Sequence, residues 1–191
     1  MIKINDLIQP PPVLCSIDAS TTSLAFAIFK DKELASFGKI NFNGGDVYQK
    51  VADASIKTQS FFDLYGVPSA VIIEHTVFMN SPKTAADLAL VQGSILGGMS
   101  FRGTKTIKSI NPIAWQTFIG NGRLTTPEKD LIRSGFPGRS ASWYKNKERE
   151  FRKERTIKFV NTYYDKSVDD NDIADAIGIG HYAIHNWSKL I

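Results

Sequence analysis

The sequence predicts an α/β domain built on a five-stranded mixed sheet, three antiparallel meander strands plus parallel strands, flanked by helices. Two observations predict it. Three short apolar runs follow one another near the N-terminus, separated only by tight polar turns. After them, segments with helical spacing alternate with short apolar runs, an order that requires crossovers and therefore parallel pairing. At 191 residues the chain can bury a real core. Residues 1–191 are expected to form one domain, with a basic insertion at about 122–164.

The elements follow in order. Gln9-Pro10-Pro11-Pro12 is an extended lead-in, because successive prolines cannot begin a helix comfortably. Residues 13–17 are apolar enough for a central strand. Asp18 to Ser23 form a small polar turn, and 24–29 read as a returning strand. Asp31-Lys32-Glu33 makes a charged hairpin turn into a third strand over 34–42. Asn43-Gly44-Gly45 breaks the chain. Over 47–65, Val51, Ala54, Phe61, Phe62 and Leu64 recur at helical spacing. Residues 70–73 are a short buried strand. Ser81-Pro82 starts a helix with an apolar stripe of Ala85, Leu88, Val91, Ile95 and Met99. Gly93, Gly97 and Gly98 weaken that helix and permit close approach of another element. Residues 104–110 read as a strand, and Asn111-Pro112 opens a short helix to 119. Thr125-Thr126-Pro127-Glu128 is a capped helix start. Residues 134–142 read as a Gly/Pro/Ser loop and 145–164 as a charged helix. Asp169-Asp170-Asn171 caps a last helix ending near Trp187.

Composition narrows the class. Hydrophobic residues at 42% and charged residues at 22% fit an ordinary globular domain. No apolar run approaches the roughly 18–20 residues of a membrane span, so no membrane association is expected. The first twelve residues lack the basic start and long apolar stretch of a signal peptide. The lone Cys15 excludes an internal disulfide, fits a reducing compartment and reads as a core residue. The net charge of +4 hides a division: residues 101–158 hold 14 Lys/Arg against 5 Asp/Glu, and the rest holds 9 against 14. A +9 segment points to a polyanionic partner.

Four carboxylates carry the chemistry. Asp18 follows the apolar run Leu14-Cys15-Ser16-Ile17, and Glu74 closes Ala70-Val71-Ile72-Ile73. A carboxylate against a buried strand is costly without a partner. If the first and fourth strands lie parallel as neighbours, both acids fall at C-terminal strand ends, where open α/β sheets place their sites. Asp172 and Asp175 are three apart on a helix and are expected to point the same way. Brought together, the four would form an all-oxygen cage suited to Mg²⁺ or Mn²⁺. Taken singly, each acid also reads as a turn, cap or surface charge; for Asp172 the two readings balance, and Asp169 and Asp170 read as caps.

Three segments together carry a family resemblance: Ser16-Ile17-Asp18-Ala19-Ser20, Ile72-Ile73-Glu74-His75-Thr76-Val77-Phe78, and Asp172-Ile173-Ala174-Asp175-Ala176-Ile177-Gly178-Ile179-Gly180-His181. In this order they resemble the RuvC family of Holliday-junction resolvases, within the RNase H-like superfamily. The resemblance spans about residues 13–186. The stretch from Phe78-Met79-Asn80 to Gly93 also looks like the family segment after the Glu. Residues 122–164 depart from the bacterial enzymes and look more like the viral branches, which suggests a phage-encoded member acting in the bacterial host cytoplasm.

The resemblance implies an RNase H-like fold and a metal-dependent endonuclease that resolves four-way DNA junctions in recombination or phage DNA processing. It implies two Mg²⁺ ions per site, with Mn²⁺ able to substitute, and a C2 homodimer cutting two symmetry-related strands. Asp18 would bridge the ions, Glu74 and Asp175 would hold one each, and Asp172 would act through water. Two rivals are a broader nuclease cutting flaps, forks and three-way junctions, and a non-catalytic DNA-binding module. A third is a sugar-kinase-like ATPase, because Asp18-Ala19-Ser20-Thr21-Thr22 also resembles its phosphate loop; 191 residues leave no room for its second domain.

The basic helix is expected to meet DNA phosphates through Lys145, Lys147, Arg149, Arg152, Lys153 and Arg155. Counting Lys158, seven cations face three acids, too unequal for ion pairing such as Glu148–Arg152 to explain alone. Arg149, Arg152 and Arg155 are expected on the surface. Trp143 and Tyr144 either stack on a splayed base or lie buried under the loop. The helix over 82–99 is either a dimer interface or packs on its own sheet. His181 and His185 have zinc-ligand spacing without a third ligand, and read as an amphipathic helix end, although His181 could lie near the carboxylates. His75 should point away from Glu74.

Overall fold

A computed structural model describes residues 9–75 and 81–191. Residues 1–8 of the N-terminal reading and residues 76–80 of the family resemblance lie outside the described residues. Strand β1 is Val13–Ala19, β2 Ser23–Lys30 and β3 Glu33–Asn41. Helix α1 is Val47–Tyr65, β4 is Ala70–Glu74, α2 is Pro82–Phe101 and β5 is Thr106–Ile110. Helices α3 (Pro112–Phe118), α4 (Thr126–Gly135), α5 (Ala141–Tyr164) and α6 (Asn171–His185) complete the order, before a short 3₁₀ turn at Trp187–Lys189.

The sheet order is β3-β2-β1-β4-β5. Strands β1–β3 pair antiparallel, and β1, β4 and β5 run parallel. This is the mixed five-stranded sheet expected from the sequence. The β2–β3 turn places Asp31 and Lys32 at positive φ (49° and 72°), the twist a two-residue hairpin requires.

Alternation assigns the two faces. Cys15, Ile17, Val71 and Ile73 pack under α1 and α2 with Phe26, Phe61, Val91, Ile95 and Met99. Leu14, Ala70, Ile72 and Ile110 pack on the other side with Trp115, Val160, Ile177 and Ile179 from α3, α5 and α6. The apolar stripe of α2 therefore faces its own sheet, and Gly93 and Gly97 face open space. Cys15 is fully buried, which pushes its thiol up to about 12.

Two boundaries differ from the expectation. Strand β1 runs on through Asp18, because its pairing with β2 continues to Ala19↔Leu24. The turn begins only at Ser20, whose hydroxyl accepts the N–H groups of Thr22 (3.1 Å) and Ser23 (3.0 Å). Asp18 is thus held by a strand pair and not by a loop. Helix α5 starts at Ala141, four residues early, because Ser140 caps it by accepting the Trp143 N–H.

Helix α6 sits unusually close to the sheet. The Ser16 hydroxyl donates to the Ala176 carbonyl at 2.7 Å. A Cβ at Gly180 would overlap the Phe29 ring and the Ser16 hydroxyl, and one at Gly178 would come within 2.7 Å of Trp115. Only glycine fits at both. Gly180→Ala should therefore destabilise by roughly 1–3 kcal/mol through overpacking. Gly97→Ala, in open space on α2, should be neutral or stabilising. Chemical denaturation of the two variants checks both; equal midpoints would show that α6 does not depend on the close approach.

Candidate active site

The register of the sheet builds a row of side chains. Lys39 on β3 lies opposite Ala25 on β2, and Ala25 opposite Asp18 on β1. One step earlier Ile17 pairs with Ile73, so Asp18 stands beside Glu74 at the ends of β1 and β4. Paired residues share a face, and this face is the one α6 covers. Asp175 enters from α6. The structure brings Asp18, Glu74, Asp172 and Asp175 close enough to act on one another electrostatically.

The energetic signature is crowding of like charge. Burial, then Asp175, Glu74 and Asp172, push Asp18 up to about 8, against a small opposing pull from Lys39. Burial and Glu74 push Asp175 up to about 7. Burial raises Glu74 as well, opposed by a hydrogen bond from Trp115 and by Arg152. Each effect disfavours the ionised form.

Two of the four acids have partners that hold them in place, and a third has a polar neighbour. Trp115 Nε1 on α3 donates to Glu74 Oε2 at 2.7 Å. Thr156 on α5 favours the ionised form of Asp175, against the larger effects of burial and Glu74, and its hydroxyl accepts from Asn121 Nδ2 at 2.9 Å. Lys39 Nζ lies 2.6 Å from Asp172 Oδ2 and 3.0 Å from Asp170 Oδ2. Asp172 and Asp175 therefore do not act as one pair: three apart in sequence, they have different partners. Asp170 is the N-cap of α6. Among the described residues no hydrogen-bond donor reaches Asp18.

These facts bear on a metal. Among the described residues no three acidic, His or Cys side chains converge, as they stand, tightly enough to enclose one ion. The chemistry nevertheless fits a hard divalent cation. The candidate ligands are all carboxylates, one of them, Asp18, meets no hydrogen-bond donor among the described residues, and the surplus negative charge calls for a positive one. Lys39 and Trp115 each hold one of these side chains.

Helix α5 borders this cluster. Arg152 acts on Glu74 and Lys153 on Asp175. The expectation that Arg152 and Arg155 are free surface groups is corrected. Arg152 is half-buried and its guanidinium donates to Gln116; no Glu148 pair forms. Arg155 is tied to Glu128 of α4 and lies over the Phe151 ring. Lys147 pairs with Glu150 at 3.0 Å. Lys145 and Arg149 are exposed. Trp143 packs on Phe136 and Tyr144, and the Tyr144 hydroxyl donates to the Phe136 carbonyl at 2.6 Å, so both aromatics pin the loop before α5.

The histidines lie elsewhere. His181 is bonded to the Tyr164 hydroxyl (2.8 Å) amid Phe118, Phe159 and Tyr163; burial pushes it down to about 4. His185 bonds the His181 carbonyl. His75 is exposed. Sequence reasoning missed Lys39, Trp115, Asn121 and Thr156. Lys39 had one signal: it shares strand parity with Phe37, which packs on the inner face. The others had none, since their value comes from partners distant in sequence.

No protein-family model matches the chain, and no curated protein matches it. Solved structures do. Thermus thermophilus RuvC in complex with a Holliday junction substrate superposes with a TM-score of 0.64 at 14% identity, over 92% of this chain and 97% of that one. A second Thermus thermophilus RuvC structure gives 0.62 at 14% identity, over 93% and 97%. The yeast mitochondrial Holliday junction resolvase gives 0.55 at 13% identity, over 97% and 83%. The fold is therefore the RNase H-like fold in its RuvC-type form. Among the described residues no helix is long and apolar enough to cross a membrane.

A pH dependence follows from the crowded acids. Their folded-state values lie above the unfolded value near 3.8, so between these limits the folded chain binds more protons. Metal-free protein should therefore lose stability as pH rises from about 4 through 8, and Asp18→Asn should flatten the loss. Thermal melts in a chelator across that range check the sign; a midpoint that rises with pH would contradict it.

Proposed function

We propose that this protein is a metal-dependent endonuclease that resolves four-way DNA junctions. The observation that carries the reading is Asp18 beside Glu74 at the ends of two parallel strands, faced by Asp175 and bordered by the basic helix α5. The likeness of fold to two kinds of Holliday-junction resolvase supports it.

In this reading Asp18, Glu74, Asp172 and Asp175 would hold the metal, with Asp18 as the shared ligand. Two Mg²⁺ ions held there, or Mn²⁺ in their place, would supply an activated water and charge neutralisation at the scissile phosphate. Trp115 fixes the rotamer of Glu74, and Thr156, itself held by Asn121, favours the ionised form of Asp175. Both are outer contacts to the ligands.

DNA approaches over α5. Lys145, Arg149 and Lys153 supply phosphate contacts, with Lys147, Arg152 and Arg155 contributing where their present partners release them. Arg152 also lines a cavity of about 370 Å³ with Asn111, Gln116 and Arg123. Two symmetric cuts call for a C2 homodimer. The outer face of α2, bearing Leu90, Gly93, Gly97 and Phe101, is open to serve as its interface. In this reading residues 1–191 form a single nuclease domain whose basic insertion, about residues 122–164, faces the junction.

Cleavage of four-way, three-way and linear duplex DNA, with and without Mg²⁺, tests the reading. Cutting should need Mg²⁺ and favour the four-way junction. Asp18→Asn and Glu74→Gln should abolish it, while junction affinity in chelator holds or rises, since charge facing phosphate has been removed. Full cutting by Asp18→Asn would refute the site, and equal cutting of three-way junctions would recast the enzyme as a broader structure-selective nuclease.

The phosphate contacts have their own signature. Lys145→Ala with Arg149→Ala should weaken junction and duplex alike and lower the slope of log K against log salt by about two. Arg155→Ala should chiefly cost stability, because it frees Glu128. An unchanged slope in the double variant would place the DNA path elsewhere.

A further inference from the structure

The carboxylate cluster contains a cation of its own. Lys39 lies on the inner face of β3, in the sheet row that runs through Ala25 to Asp18. Its side chain is only 24% exposed. Its ammonium touches two carboxylates at once, Asp172 at 2.6 Å and Asp170 at 3.0 Å. The two acids are not equivalent. Asp170 is committed to the helix, since its Oδ1 accepts the N–H groups of Asp172 (2.8 Å) and Ile173 (3.2 Å) and closes the start of α6. Asp172 accepts no other side-chain bond among the described residues. The bond from Lys39 is thus what turns Asp172 toward β3, while Asp175 turns toward α5. Ala25 between Lys39 and Asp18 leaves no side chain tall enough to separate them.

A lysine is well suited to this place. It is a compact point charge on a flexible stem, so it can leave one carboxylate without unfolding anything. An arginine would grip in a fixed fork. With Asp170 still bound, the ammonium keeps an anchor when Asp172 departs.

We propose that Lys39 is a resident cation: it holds Asp172 while the site lacks a divalent ion and gives Asp172 up when one binds. Lys39 and the ion therefore compete for one carboxylate. The competition explains why Asp172 is drawn toward β3 and away from the other acids. It also lets the chain fold without metal, since one positive charge offsets the crowded negative ones. This inference rests on the reading of the cluster as a metal centre.

The test is a Mn²⁺ titration of the full, chelator-stripped chain by calorimetry, together with thermal melts. Lys39→Met should bind Mn²⁺ more tightly, by about fivefold, the factor that a partly exposed ion pair represents. In chelator it should melt below the wild type, and saturating Mn²⁺ should narrow that gap. Lys39→Arg should keep the metal-free stability and bind Mn²⁺ no more tightly than the wild type. In an Asp172→Asn background, Lys39→Met should bring no gain, because the contested carboxylate is gone. If Lys39→Met does not fold in chelator, Lys39→Gln carries the same titration. Equal or weaker Mn²⁺ binding by the uncharged variant would overturn the proposal and make Lys39 a plain support for Asp172. A gain that persists with Asp172→Asn would also overturn it, showing action through space. Wild type that binds Mn²⁺ no better than Asp18→Asn would instead remove the metal-centre reading beneath it.

Discussion

Like charge packed against a half-buried sheet edge is the constraint on which this molecule turns. Asp18 and Glu74 stand side by side because β1 and β4 are parallel neighbours in fixed register. Asp175 joins them because α6 lies almost on the sheet, close enough that only glycine fits at positions 178 and 180. The same contacts that bury the core thus force carboxylates together, and both burial and mutual repulsion raise their proton affinity. A protein that kept such a cluster for stability alone would do better with apolar residues, since buried charge rarely repays its desolvation.

The neighbours manage this strain in different ways. Glu74 is steadied by a neutral donor, Trp115, and Asp172 by a full positive charge, while Thr156 favours the ionised form of Asp175. Among the described residues Asp18 is left without a hydrogen-bond donor in the row. The result is a site held open rather than collapsed. The basic helix α5 balances the same cluster from its flank: Arg152 and Lys153 face the acids, while Lys145 and Arg149 face solvent. One helix therefore serves both the interior electrostatics and the charged surface, and it cannot be read as a solvated face alone.

The fold was legible in the sequence because it is written locally. Apolar runs, Gly breaks, the Thr125–Glu128 capping pair and the Ser81-Pro82 start each mark an element within a few residues. The carboxylates at strand ends were legible for the same reason: a charge after a run such as Ala70 to Ile73 stands out. What was not legible depends on distant partners. Arg152 and Arg155 looked like surface cations because Gln116 and Glu128, their partners, lie 36 and 27 residues away. Asp172 and Asp175 looked like a matched pair because helical spacing reports direction and not the neighbour each acid meets. Lys39 went unnoticed because its two acids lie 131 and 133 residues downstream.

The central claim is that these four carboxylates are a single divalent-metal centre. A crystal structure grown with Mn²⁺, read by its anomalous scattering, tests this most directly. The account predicts anomalous density between Asp18 and Glu74, with Asp175 drawn to it and Asp172 turned away from Lys39. No density at that place, or density only at unrelated surface acids, would contradict it.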